Sequence, residues 1–122
     1  MSLQKILSEF QSEMSGDLIS TDVVGMDGLA IAGVKADPNF DNSAAAARFA
    51  MVVKLSTRVA DKVKMGAVED NLVTTDQAYI LTRLLGDGSY YWGVAVTKDA
   101  TLGVLRMLMN DYADRLWAAI PH

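Results

Sequence analysis

The stretch 68–96, VEDNLVTTDQAYILTRLLGDGSYYWGVAV, decides the fold. Val68 to Thr75, Gln77 to Leu84 and Tyr90 to Val96 each read as a strand, rich in β-branched and aromatic residues. Thr75-Asp76 and Gly86-Asp87-Gly88-Ser89 stand between them and favour turns. Connections this short cannot carry a parallel crossover, so the three strands form antiparallel hairpins.

Upstream lies the longest helical segment, 43–64. At roughly 100° per residue, Ala45, Phe49, Val52, Ser56, Val59 and Val63 share one face, taken as the core face. Ala44, Ala47, Met51 and Leu55 form a neighbouring flank beside Arg48, Arg58 and Lys62, while Lys54, Asp61 and Lys64 lie opposite the core. The apolar surface is wider than packing on one sheet requires, the first sign of a partner. Gly66 is expected to stop the helix, and Asp41, Asn42 or Ser43 to cap its start. Pro38 blocks a helix start just before it, within a connecting loop over 35–42.

Further upstream, Leu18 to Val24 alternates polar and β-branched residues and reads as a strand. Gly25-Met26-Asp27-Gly28 suits a hairpin turn into a second strand, Leu29 to Val34. The two alanines and Gly33 of that strand leave room for a close neighbour. At the ends, Leu3, Ile6, Leu7, Phe10 and Met14 mark a helix over 2–15, closed by Gly16-Asp17. Leu105, Leu108, Met109, Tyr112 and Leu116 mark a last helix, capped by Thr101 and running to about Ala119. Trp92 is expected in the core. Trp117 lies off the last helix's stripe and is either a second packing face or an exposed anchor.

The order is therefore α-β-β-α-β-β-β-α, an α+β layered fold: one five-stranded antiparallel sheet with helices against it. The 122 residues fit a single domain spanning 1–122.

Composition narrows the function. The net charge of -4 with no basic block argues against a nucleic-acid binder. The absence of cysteine excludes disulfides and thiolate metal sites. No apolar run approaches the length of a membrane span, and Met1-Ser2-Leu3 does not open a signal peptide, so a cytoplasmic location and no direct membrane insertion are expected. Seven methionines read as core filling or as an adaptable binding surface. His122, the lone histidine, is the last residue and cannot serve as a held general base or reliable ligand. Asp17, Asp22, Asp27, Asp37 and Asp41 read as turn and cap carboxylates. Gly86-Asp87-Gly88 lacks the Lys and strand-to-helix setting of a phosphate loop, and Ser43 and Ser56 lack a histidine to activate them. The expectation is no enzyme and no cofactor.

The element order resembles that of the roadblock dynein light chain family, within the roadblock/longin group. Asp27-Gly28-Leu29-Ala30-Ile31-Ala32 resembles its first hairpin, and Ala44 to Ala47 its alanine-rich second helix. Leu55-Ser56 with Arg58, Lys64-Met65-Gly66 before Val68-Glu69, Tyr79-Ile80, Gly86 and Leu102-Gly103-Val104-Leu105-Arg106 extend the likeness over about 3–119. The resemblance implies a roadblock/profilin-like layering, with the long central helix on one face of the sheet and the terminal helices on the other. It implies edge-to-edge homodimers through the third strand, and non-catalytic adaptors or scaffolds that often regulate Ras-like small GTPases.

An open third strand is a liability unless paired, and pairing it with its own copy about a two-fold axis resolves this independently of any resemblance. The expected interface comprises Ala44, Ala47, Arg48, Met51, Leu55 and Arg58 of the helix with Val68, Asp70, Leu72 and Thr74 of the strand. Arg48 or Arg58 could act as an arginine finger only if aimed at a transferring phosphoryl group; a solvated or interfacial helix charge is the simpler reading. The competing readings are a small-ligand sensor of PAS-like or profilin-like architecture, which needs a closed apolar pocket with convergent polar groups, and a structural subunit of a larger complex.

Overall fold

The computed structural model describes residues 2–121; Met1 and His122, and with them the reading of His122 as a terminal bystander, lie outside the described residues. Helix α1 spans Leu3–Met14, α2 Asn42–Lys62 and α3 Leu102–Ala119, with a single 3-10 turn at Ser15–Asp17. The strands are β1 Leu18–Gly25, β2 Ala30–Lys35, β3 Asp70–Thr74, β4 Ala78–Leu85 and β5 Tyr90–Thr97. They form one sheet of order β2-β1-β5-β4-β3, antiparallel at every pairing, with β2 and β3 at its two edges. The expected order and layering are borne out.

The ends of elements differ in instructive ways. Helix α1 closes through Ser15, at φ 55, and not through Gly16, whose φ is not positive. Helix α2 is capped by Asp41, whose carboxylate accepts the Ala44 N–H at 3.1 Å. It stops at Lys64, which takes φ 57, two residues before Gly66 at φ 92 is reached. The Met65 N–H then reaches back to Ala60 O at 3.0 Å, closing a six-residue C-cap. Thr101 holds the cap position of α3, but its hydroxyl makes no capping bond. The third strand is shorter than expected, because Val68 lies in the approach to β3.

Alternation assigns each strand's side chains to one of two faces. Thr21 and Val23 of β1, Leu81 and Leu85 of β4, and Trp92, Val94 and Val96 of β5 meet α1 and α3 in the main core. Phe10 sits edge-on to Trp92 and to Tyr112, with centroids 4.8 and 5.5 Å away, the T-shaped geometry that ring quadrupoles favour. Trp92 is the expected core residue, and its buried Nε1–H is satisfied by Thr21 Oγ1 at 2.7 Å. The opposite face is thinner: Val24 and Tyr91 of the sheet meet Ala46, Ala50 and Val53 of α2, with Met26, Phe49 and Leu84 partly buried around them.

Trp117 resolves as a packing residue. Its half-buried indole lies across Gly86 in the β4–β5 turn, so close that any Cβ there would overlap the ring. Gly86 also has φ 53, a left-handed conformation that costs other residues energy. Gly86→Ala is therefore expected to destabilise the fold by about 1–3 kcal/mol, read as a lower urea midpoint with shifted tryptophan fluorescence. An unchanged midpoint would mean that the Trp117–Gly86 contact does not form.

Candidate functional site

Helix α2 turns only a narrow seam toward the sheet. Ala46, Ala50 and Val53 are its buried residues. The core face expected from the helical projection is therefore displaced by about a quarter turn at 100° per residue. Val52, Val59 and Val63, expected in the core, are 38%, 52% and 60% exposed, and Met51 and Leu55 are 69% and 61% exposed. The physical reason is that α2 packs on the sheet alone: the hydrophobic cluster around its seam draws on α2, the strands and the first hairpin, and on no residue of α1 or α3. Beyond Phe49 and Ser56, the lateral flank at Val52, Val59 and Val63 is exposed.

That flank faces an open part of the molecule. Ala45 and Phe49 wall a half-open cleft of about 190 Å³, floored by Ala78, Ile80 and Ala95 and flanked by Phe40. Farther along the same flank, Ser56 donates to Asn71 Oδ1 of β3 at 3.0 Å. The flank thus points at the open sheet edge. In β3, the Leu84 N–H donates to Glu69 O and the Thr75 N–H to Ala78 O. Antiparallel alternation then turns the backbone groups of Asp70, Leu72 and Thr74 outward, unpaired.

The structure separates the expected interface residues into three places. Met51 and Leu55 are exposed along the top of α2, on the side away from the sheet, and the helical projection puts Ala44 and Arg48 with them. Asp70, Leu72 and Thr74 line the open edge, with half-buried Val68 just before it; Leu72 also packs on the main core. Asp70 holds Arg106 of α3 at 3.4 Å, a surface pair of small energetic weight. Ala47 and Arg58 lie on the far flank: Ala47 covers Gly28 of the first hairpin, and Arg58 lines a separate groove. The helical projection places Val52, Val59 and Val63 in the core; for Val59 and Val63, the i, i+4 continuation of the Met51-Leu55 ridge is the signal that points outward.

Buried polar groups pin α2 where its apolar seam is thin. Tyr91 donates its phenol hydrogen to Ala46 O at 2.7 Å, and its pKa is raised by burial first and by nearby Asp22 second. Asn42 Nδ2 donates to Asp22 Oδ1 at 2.6 Å. Gly33 is what makes this possible, since a Cβ there would overlap the Asp22 carboxylate. The close neighbour expected at Gly33 is thus a carboxylate. Asp22, expected as a turn carboxylate, sits instead in mid-strand beneath the start of α2. These groups act as fastenings that tie α2 to the sheet. Among the described residues no cluster of three or more His, Cys, Asp or Glu side chains is arranged to hold a metal ion, and no helix is long and apolar enough to cross a membrane.

No family sequence model and no curated protein sequence matches the chain. Solved structures do. MglB of Myxococcus xanthus superposes with a TM-score of 0.86 at 14% identity, covering 95% of this chain and 92% of that one. A Roadblock/LC7 domain from Streptomyces avermitilis superposes at 0.84 and 19% identity, covering 95% of both chains. Profilin II of Acanthamoeba castellanii is similar at 0.66 and 15% identity, covering 96% of this chain and 98% of that one. At such identities the likeness is one of fold, and the fold is that of Roadblock/LC7 domains.

The Asp22 fastening yields a pH prediction. Burial raises the Asp22 carboxyl pKa above its ordinary 3.8, against the opposing pull of the Asn42 bond and of Lys35. A raised folded value means the folded protein holds the proton more tightly than the unfolded chain. The contribution to stability is then full below about pH 3.8 and lost as pH rises through the folded value. Asn42 Oδ1, moreover, is buried without a partner. Asp22→Asn removes the charge and supplies a donor there. It is expected to stabilise the protein at pH 7 by about 1 kcal/mol, with the gain shrinking as pH falls toward the carboxylate range. Urea denaturation at several pH values checks this; a loss of stability at pH 7 would contradict it.

Proposed function

We propose that this protein is a non-catalytic, cytoplasmic, single-domain adaptor that works as a homodimer and modulates a Ras-like small GTPase. The observation that supports it most is the incomplete α2 face: an exposed valine flank beside an open strand edge and an apolar cleft. A second copy covers all three at once. A two-fold axis through Leu72 pairs β3 with β3 of the second copy, Asp70 opposite Thr74, and uses the outward backbone groups of both strands. The same axis lays the two α2 flanks together, so Val52, Val59 and Val63 meet their counterparts over the cleft. Met51, Leu55 and Arg48 of both copies then form a shared platform above the paired helices. The GTPase part of the proposal rests on the family resemblance and on this two-fold platform.

The cleft under α2 favours a second reading, a small-ligand domain, because it is apolar with Tyr91, Asp22 and Thr82 nearby. The two readings separate in solution. In the dimer reading the cleft is closed, so the apolar dye ANS binds only after the dimer is broken. In the ligand reading the undisturbed protein binds it.

Sedimentation equilibrium is expected to show a dimer, and Val59→Glu and Thr74→Pro are each expected to weaken its association by at least about tenfold. Thr74→Pro removes only an outward N–H, which an edge strand tolerates, so the protomer stays folded. A monomeric parent protein would sink the dimer. GTP hydrolysis by the small GTPases of the source cell, measured with and without the protein, tests the regulatory part. No binding and no rate change across that set would overturn it.

A further inference from the structure

The flank of α2 away from Val59 carries a second surface that the dimer leaves free. There α2, the α2–β3 connection and the two hairpin tips enclose a groove of about 750 Å³. Its volume is in the range of roughly 300–1,000 Å³ typical of binding clefts. Met26, Leu84, Ala67 and Val68 supply apolar lining, and Lys54, Arg58 and Lys64 supply three cations. Among the described residues these three make no ion pair and no side-chain hydrogen bond, although two carboxylates share the groove. One of those, Asp87, is committed to its own turn, accepting from Ser89 N–H at 3.0 Å and from Ser89 Oγ at 2.6 Å. The other, Asp61, stands on α2 between Arg58 and Lys64. The groove is therefore net cationic on a chain whose net charge is -4.

Lys64 carries a further mark. It occupies the left-handed position that ends α2, at φ 57, where glycine would sit without strain. A lysine at a position that favours glycine costs stability, and this lysine lines the groove.

We propose that this groove docks an acidic amphipathic helix of a partner protein. Lys54 and Arg58 are one helical turn apart, about 6 Å along the axis. A helix lying alongside α2 with carboxylates four residues apart matches that spacing, and its apolar face covers Met26, Leu84 and Val68. Such a pairing has charge complementarity at the rim and apolar burial at the floor. An anionic membrane surface fits less well, because the cations surround a concavity that a flat bilayer cannot enter. The inference does not rest on the homodimer, whose flank lies on the other side of α2.

The test uses two synthetic helical peptides with identical leucine positions, one bearing glutamates and the other lysines at the polar positions. Each is titrated into the isotopically labelled full chain and followed by amide chemical shifts. The glutamate peptide is expected to shift Lys54, Thr57, Arg58, Gly66 and Gly88, and to bind at least about tenfold more tightly than the lysine peptide. The Lys54→Glu/Arg58→Glu double variant is expected to lose that preference. Lys64→Gly is expected to raise the urea midpoint while weakening glutamate-peptide binding, a split that a purely structural lysine would not produce. Equal binding of both peptides, shifts confined to the Val59 flank or β3, no binding, or capture by anionic phosphatidylserine vesicles in place of the peptide would each overturn the proposal.

Discussion

Everything on the α2 side of this molecule depends on how narrowly that helix rests on its sheet. The seam is Ala46, Ala50 and Val53 against Val24 and Tyr91, mostly small side chains. Small residues let the helix approach closely but bury little area, and apolar stabilisation scales with area. The other face carries Leu7, Phe10, Trp92, Leu105, Met109 and Leu116, all fully buried. The stability of the domain therefore resides mainly on the α1/α3 side. The α2 side is held by a few directed bonds, Tyr91 to Ala46, Asn42 to Asp22 and Ser56 to Asn71.

That division of labour frees α2 for surface work. A helix that needs only a third of its circumference for packing has two flanks and a back to offer. One flank is apolar and continues toward an open strand edge. The other is cationic and borders a groove of about 750 Å³. The buried polar side chains Tyr91, Asp22 and Asn42 serve chiefly to hold α2 on the sheet.

Some of this was legible in the residues and some was not. The turns at Asp27-Gly28 and Gly86-Asp87-Gly88, the alternation in 68–96 and the stripes of α1 and α3 all encode short-range geometry, and they led directly to the observed order. The surplus of apolar residues on α2 was equally plain. Which of them face the sheet was not, because a projection reports which residues share a face and says nothing of what lies opposite it. Val59 and Val63 look like core residues by composition and are exposed because no neighbour reaches them. Arg58 looked like an interface charge and lines the far groove for the same reason. Trp117 could not be placed until Gly86, distant in sequence, was seen beneath its ring.

What the sequence by itself determined is the set of elements and their antiparallel pairing, because local backbone preference is carried one residue at a time. What only the tertiary structure decided is the rotation of α2 about its axis, and with it which flank is bare, which edge it points to and which cations stand unpaired around a groove. Rotation is set by close packing between residues far apart in the chain, such as Ala46 against Tyr91 and Ala47 over Gly28, and no local pattern records it.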